Sequence, residues 1–350
     1  MLHHRILRTI VAAAITASLS LTSLLAEEPY AWPEKLPDSV INLVQTERPK
    51  IPKETGLSKE FGLELLTKAL RPDTSLKSGL VLIEREKFLP KRLHAGRVPL
   101  IKIRLIFDRQ VKPALWAQWT DGMKKQCTFI RGKDATYLSE QFPEARSRQR
   151  ISKRNVDYMP RTKYCDEFPL FSFSYVPHFL MNHPKNIESF VKHSLEIEID
   201  AVEKQGTFYL VHQAIKNTNP KSKYSEFHRV YWITMDESSR VVKMIEWTRL
   251  SQTGEWGGNF AVQNEFEKIE GIHVPKVYES YYLSQQKSEE RVERIRLSWK
   301  DVNTPFPPEL FNDDLLEPKS NSLLYDRTKK SDGVIGVPYG TLKKKKTKSE

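Results

Sequence analysis

Hydrophobic and polar side chains alternate along most of the segment 195–302, and a short polar or glycine-containing break follows each run. Leu195, Ile197, Ile199 and Ala201, for example, alternate with acidic residues. A period of two residues is typical of a strand with one buried face, and the breaks are short enough for hairpins. We therefore predict consecutive antiparallel strands at 195–201, 207–215, 227–235, 241–250, 260–269, 274–283 and 292–302.

Runs of the same alternating type precede this segment. Prolines and glycine-containing turns separate them, where a fixed or unusually free backbone suits a change of direction. We predict these further strands at 80–87, 100–108, 114–120, 128–131 and 135–139. The segment 142–193 is rich in arginine, proline and aromatic residues and lacks clean alternation, so we predict an irregular insert with short helices, one of them at 187–193.

One stretch has the spacing of a helix instead. Within 55–70 the apolar positions fall on one side of a helix, and they are Leu57, Phe61, Leu65 and Leu66. Either Thr55 or Ser58 supplies a capping hydroxyl, and Pro72 follows the end of the pattern. The pattern predicts one amphipathic helix with an apolar side that packs on a sheet.

Residues 1–26 have the anatomy of an export signal. Arg5 and Arg8 precede an uncharged stretch of small and apolar residues, and acidic residues follow directly after Ala26. Leu24 is large for a position that usually holds a small residue, so an uncleaved membrane anchor stays as the alternative. We predict cleavage after Ala26, a soluble protein in the periplasm or another extracytoplasmic compartment, and an extended, proline-rich lead-in at 27–54.

The chain is basic, with a formal net charge of +12. Part of this charge lies in the tail 341–350, which we predict to be disordered. The lysines of the tail are Lys343, Lys344, Lys345, Lys346 and Lys348. Two interpretations stay open for them, a solvated end or contact with an anionic membrane. Nucleic acid is not predicted as a partner, because the chain carries an export signal and its aromatic residues do not interleave with basic ones.

Candidate catalytic chemistry is sparse. Cys127 and Cys165 are the two cysteines, and an oxidising compartment permits one disulfide between them, with two separate buried thiols as the equal alternative. His178, His183 and His193 lack the spacing of metal ligands, so no metal site is predicted. The sequence contains no nucleophile elbow, phosphate loop or dinucleotide fingerprint. We therefore predict neither a cofactor nor an enzyme.

Several segments, in order along the chain, carry a resemblance to a known family. They are IKIRLIFD at 101–108, TFIRGKDATYL at 128–138, the GIHVP run within 270–275, and DVNTPFPPELF at 301–311. Together they resemble the outer-membrane lipoprotein-sorting superfamily, the LolA, LolB and RseB-like proteins, and within it the uncharacterised exported branch. The resemblance implies an α+β fold over 55–340, an unclosed barrel of about eleven antiparallel strands with a few helices plugging its concave side.

Large apolar residues are more numerous on the predicted strands than a single flat, wet face needs. The candidates for a hydrophobic binding surface are Trp116, Trp119, Phe129, Tyr231, Ile233, Ile245, Trp247, Phe260, Val262, Tyr278, Tyr282, Leu297 and Trp299. Ordinary core packing beneath the helix is the competing interpretation. A shift of one residue in strand register exchanges the set that faces inward.

Three functional hypotheses follow from these features. The first is a binding or carrier protein that holds a hydrophobic small molecule, an acyl chain or a lipidated protein in the concave face. The second is an envelope interaction or sensing scaffold without a transported ligand, in which a partner protein docks on the half-barrel. The third, an enzyme that uses the cleft, has the least support because no catalytic set is recognisable.

Overall fold

The structure is a computed structural model, and it describes residues 47–53, 56–70, 75–88, 98–108, 114–120, 126–131, 135–141, 149–155, 195–283, 290–311, 316, 322–326 and 337–338. Contacts between Cα atoms group the chain into Met1–Pro37 and Asp38–Glu350, and every described residue lies in the second unit. The predicted signal peptide at 1–26, the tail at 341–350 and the helix at 187–193 all lie outside the described residues.

The described secondary structure is dominated by strands. One helix, α1 (Lys59–Leu70), precedes them, and a short 3-10 turn (Pro308–Phe311) follows most of them. The strands are β1 (Ser78–Phe88), β2 (Val98–Asp108), β3 (Ala114–Thr120), β4 (Gln126–Arg131), β5 (Ala135–Gln141), β6 (Arg150–Asn155), β7 (Leu195–Gln205), β8 (Phe208–Asn217), β9 (Tyr224–Thr234), β10 (Val241–Leu250), β11 (Trp256–Ile269), β12 (Ile272–Leu283), β13 (Glu290–Val302), β14 (Leu323–Asp326) and β15 (Val337–Pro338).

All of these strands belong to one sheet, in the order β15-β14-β6-β5-β4-β3-β2-β1-β13-β12-β11-β10-β9-β8-β7. Consecutive hairpins build both halves, and β1 pairs with β13 where the halves meet. The described pairings are antiparallel except for β14, which runs parallel to β6. In the described part of the chain β7 and β15 are the two edges, so the sheet is unclosed. The predicted α+β class with an open antiparallel sheet is confirmed.

The sheet has 15 described strands, more than the predicted number, because β6, β14 and β15 add to one end. The strand β6 lies inside the segment 142–193, where we predicted an irregular insert, and that prediction is wrong for 150–155. Neighbouring strands explain the difference. Arg150–Asn155 pairs with β5 on one side and with β14 on the other, and Ile151 is fully buried between them.

Helix α1 starts later than the pattern predicted but ends at the predicted Leu70. The Phe61 backbone N–H donates a hydrogen bond to Ser58 Oγ at 3.1 Å, so Ser58, and not Thr55, acts as the N-cap. The helix packs against β7 and β8, where the Phe61 ring meets Tyr209 edge-on at 5.3 Å between ring centroids. Gly62 makes this approach close, because a Cβ at that position would lie 2.3 Å from Val202 Cγ2.

The register of the hairpins defines two faces of the sheet, since directly opposed residues of an antiparallel pair point to the same side. We call the side that packs on α1 the helix face. One row of it runs from Val202 through Val211, Tyr231 and Met244 to Val262. All of these side chains belong to the main hydrophobic core together with Leu65 and Leu66 of the helix. The other side is called the opposite face.

Asn303, just after β13, connects the two ends of the domain. Its Oδ1 accepts hydrogen bonds from the backbone N–H groups of Lys77, at 2.7 Å, and Ser78, at 3.4 Å. Its Nδ2 donates to the carbonyl of Ser75 at 2.8 Å. Its own backbone has φ of 59°, a left-handed conformation that asparagine tolerates better than most residues. The NTPFP motif noted in the sequence therefore fixes the start of β1.

No helix among the described residues is long and apolar enough to cross a membrane. Cys127 on β4 is buried in the main core, and Cys165 lies outside the described residues, so their pairing stays a prediction. The part of the lead-in that is described, 47–53, forms neither helix nor strand.

Candidate functional site

The structure divides the predicted hydrophobic surface into separate groups. Tyr231, Ile233, Val262, Tyr278 and Leu297 are buried in the main core, with Phe260 and Trp299 packed against it. Ile245 and Trp247 are equally buried but lie on the opposite face, because they pair with Val230 and His228. The side chains of Trp116, Trp119, Phe129 and Tyr282 lie outside the described part of the chain. Their role as ligand contacts stays a prediction.

A bulge in β10 causes the division. The β9–β10 pairing shifts between Val241 and Lys243, where β10 has the extra residue. The β10–β11 pairing shifts between Glu246 and Trp247, where the extra residue lies in β11 and leaves the facing of β10 unchanged. Each extra residue inverts the side to which the following residues point. As a result Met244, which the prediction did not include, shares the helix face with Tyr231. Alternation in the sequence shows no sign of either bulge, so it could not identify Met244.

An open groove of about 910 Å³ lies at the end of the helix face, beside the C-terminal half of α1. Its apolar floor is formed by Ala69, Val241, Phe266 and Ile272. These residues belong to the main core or pack directly against it. The groove is therefore an opening in the polar surface that leads to the core between helix and sheet. The described lining of the groove contains no residue of the predicted set. The groove forms where α1 lies next to the β9–β10 and β11–β12 hairpins, which are distant from α1 in the sequence.

Hydroxyl and charged groups form the rim of the groove. The hydroxyl groups come from Thr67, Ser75, Ser238 and Ser239. The anionic groups are Glu64, Asp236 and Glu237, and the cationic groups are Lys68, Arg240 and Lys268. His273 also lines the groove. The formal charges cancel when His273 is neutral, so the rim has no dominant sign.

Arg240 and Asp236 organise the side of the rim that belongs to the β9–β10 hairpin. The Arg240 guanidinium donates a hydrogen bond to Asp236 and lies over the Phe266 ring, 5.3 Å from its centroid. Burial acts to raise the pKa of Asp236, but hydrogen bonds from two hydroxyl groups and from Arg240 outweigh burial and hold this pKa at about 2. Asp236 therefore stays ionised at neutral pH, and Arg240 holds Phe266 in place on the floor.

The helix face also contains buried polar groups, which the prediction of a hydrophobic concave surface missed. Arg229 Nε donates to Glu246 Oε2 at 2.7 Å, and both side chains are buried. Next to them, Tyr231 Oη donates to Gln213 Oε1 at 3.1 Å. Burial acts to lower the pKa of Arg229, and the Glu246 carboxylate more than offsets it, so this pKa is raised. The Arg229 guanidinium therefore stays positively charged inside the fold.

Nothing among the described residues forms a cluster of histidine, cysteine and carboxylate side chains able to hold a metal ion. A second, smaller depression of about 290 Å³ lies on the outside of β9–β12. Lys243 crosses it and lies over the Trp232 ring, 4.6 Å from its centroid. Its volume is about a third of that of the groove.

No protein-family profile and no curated protein matches the chain. Solved structures do match. They include a LolA superfamily protein from Nitrosomonas europaea, 10% identical over 74% of this chain and 100% of that chain, with a TM-score of 0.38. They also include a DUF1329 family protein from Desulfovibrio piger, 9% identical over 74% and 97%, with a TM-score of 0.38. Lipoprotein LppX of Mycobacterium tuberculosis matches at 10% identity over 71% and 99%, with a TM-score of 0.24.

Proposed function

We propose that this protein is an extracytoplasmic binding or carrier protein that takes the apolar part of a lipid or lipidated protein into the groove beside α1. The observation that carries the proposal is the groove of about 910 Å³, whose apolar floor is continuous with the core. An opening of this size with an apolar floor and a polar rim suits a ligand that has an apolar part and a polar head. The deeper predicted residues, such as Ile233 and Val262, come within reach of a ligand only if α1 shifts away from the sheet.

The rim supports a further statement about the ligand. Because cationic and anionic groups balance there, we propose a polar head without net charge, such as a zwitterionic phospholipid or an acyl ester. The C-terminal end of α1 also faces the groove, and its partial negative charge disfavours an anionic head. The many hydroxyl groups supply neutral hydrogen bonds for such a head.

Native mass spectrometry of the protein extracted from its own cell envelope tests this function. We expect a mass excess that corresponds to one bound lipid, and lipid extraction should identify a head without net charge. Thr67→Trp fills the groove from the exposed side of α1, so it should reduce the bound fraction at least tenfold. Leu63→Trp is the matched control, since Leu63 is on the same helix but 58% exposed and outside the groove.

Equal lipid retention by the two tryptophan variants would show that the ligand lies elsewhere. An apo mass for the unaltered protein would contradict carriage and would leave the scaffold hypothesis, in which a partner protein docks on the sheet.

A further inference from the structure

A chain of titratable side chains lies on the opposite face of the sheet, away from the groove. His212 Nε2 and Glu203 Oε1 are 2.9 Å apart, and His212 Nδ1 lies 3.3 Å from His228 Nε2. The two imidazole rings stack with centroids 5.5 Å apart, and the Trp247 ring lies 5.7 Å beyond His228. Both histidines are 1% exposed. Glu203 is thus the solvent end of this chain, and His228 is the buried end.

His228 is buried without compensation for a positive charge. Its Nδ1 has no hydrogen-bond partner among the described residues, so no carboxylate in that part of the chain balances a second proton. Burial first, and then His212 and Arg48, lower the pKa of His228 from 6.5 to about 3. The folded protein therefore holds a neutral imidazole here at any pH near neutrality.

Arg48 belongs to the described part of the lead-in, residues 47–53, which we call the strap. The Arg48 guanidinium lies over the Trp256 ring, 4.4 Å from its centroid. Arg48, Pro49, Ile51 and Pro52 are half-buried, whereas Glu47, Lys50 and Lys53 are exposed, so one side of the strap packs against the protein. Trp256 pairs with Arg249 in the row next to that of His228, which places the strap on the opposite face.

The charged groups around His228 come from each neighbouring element. They are Glu203 and Asp200 of β7, His212 of β8, Glu226 of β9, Arg249 and Lys243 of β10, and Arg48 of the strap. Glu226 forms an ion pair with Arg249, at 3.4 Å, and the Glu203 carboxylate contacts His212, at 2.9 Å. The Arg48 charge is the last in order of the three causes that lower the pKa of His228, and a proton on His228 would repel this charge and the strap that carries it.

We infer that the strap is an acid-released segment, which leaves the opposite face when His228 takes up a proton. The sign follows from linkage. With the strap docked, the pKa of His228 is about 3, lowered first by burial. To the extent that undocking lets water reach His228, its pKa rises towards 6.5, and the undocked state then binds more protons between these values. Undocking that hydrates His228 fully should raise the undocking constant by at most about tenfold for each pH unit below 6.5, with a limit of about thirtyfold at pH 5.

Fluorine NMR of the full chain labelled with 5-fluorotryptophan measures this release. The Trp256 resonance, assigned with Trp256→Phe, should shift towards its solvent-exposed position as the pH falls from 7.5 to 5. The Trp299 resonance is the internal control, because Trp299 packs on the helix face and donates to the Pro275 carbonyl at 2.8 Å. It should not change over the same range, which separates strap release from global unfolding.

His228→Phe and His228→Gln remove the titrating group, and in both variants the Trp256 resonance should lose its dependence on pH. Two variants are used because phenylalanine places an apolar ring next to His212, whereas glutamine keeps a polar group there. A pH-independent Trp256 resonance in the unaltered protein, or an unchanged pH response in a folded His228 variant, would overturn the inference. Neither result depends on whether the groove binds a lipid.

Discussion

Arg229 and Glu246 face each other across β9 and β10 inside the helix face, with 3% and 7% of their side chains exposed. Each charge has lost most of its hydration, so each depends on the other for compensation. The pair gives the row from Gln213 to Phe260 a charged centre beside the main hydrophobic core. Its contribution is therefore to specify the register of the hairpin more than to add stability.

Glu246→Gln should destabilise the fold by about 3–5 kcal/mol, because it leaves a buried guanidinium without its carboxylate. Arg229→Met combined with Glu246→Leu removes both charges and should recover most of that loss. Urea denaturation followed by circular dichroism measures both variants. The matched control is Glu198→Gln in the exposed Lys216–Glu198 pair, 3.7 Å apart, which should change stability by less than about 1 kcal/mol. Similar losses for the two single variants would contradict this account.

At the scale of elements, the contact between α1 and β7 depends on a glycine in the middle of the helix. Glycine is a poor helix former, and replacement by alanine at an exposed helical site stabilises by about 1 kcal/mol. At Gly62 the added Cβ would lie 2.3 Å from Val202 Cγ2 and 3.0 Å from Ile199 Cγ2. Close packing of the two elements therefore outweighs helix propensity at this position.

Gly62→Ala should destabilise the protein by about 1–3 kcal/mol, the usual cost of overpacking, in spite of the better helix former. In a Val202→Ala background the obstructing methyl group is gone, so the same substitution should become neutral or stabilising. A double-mutant cycle of chemical denaturation provides the coupling energy between the two sites. Additive effects would show that α1 does not rest on β7 in the manner described.

At the scale of the whole molecule, β1 and β13 join the two halves of the sheet, and Asn303 secures this junction. Residues separated by 226 positions in the chain meet in the hydrogen bond between Lys77 N–H and Asn303 Oδ1. Ser78 Oγ adds a bond of 2.7 Å to the Thr304 carbonyl. The start of the first strand and the end of the thirteenth are thereby held in one register.

Asn303→Ala should lose about 2–4 kcal/mol, because it removes the side-chain hydrogen bonds and places an alanine at a φ of 59°. Asn303→Gly should lose less, since glycine accepts this conformation without strain. Asn303→Asp keeps the acceptor for Lys77 and should lose least. Thermal unfolding gives this order, and hydrogen exchange at the Lys77 amide should be fastest in the alanine and glycine variants. Equal losses for all three would contradict the role assigned to the side chain.

Much of the fold is predictable because it rests on local patterns. Strands β7 to β13 appear where alternation placed them, and α1 ends where its apolar spacing ends. Ser58 was one of two capping candidates, and its contact with the Phe61 N–H identifies it. Turns, caps and alternation involve residues close in sequence, so the chain itself carries their signal.

The candidate site was less predictable because it depends on contacts between distant segments. The bulge at Val241/Lys243 moved Ile245 and Trp247 to the opposite face and brought Met244 inward. The groove exists only where α1 approaches the β9–β10 and β11–β12 turns. The sequence alone thus determined α1, the strands β1 to β5 and β7 to β13, and the hairpins that connect neighbours among them, whose causes are local. The tertiary structure decided which side chains face the helix, which charges are buried as pairs, and where the core opens to solvent, because register and packing are settled only between segments far apart in the chain.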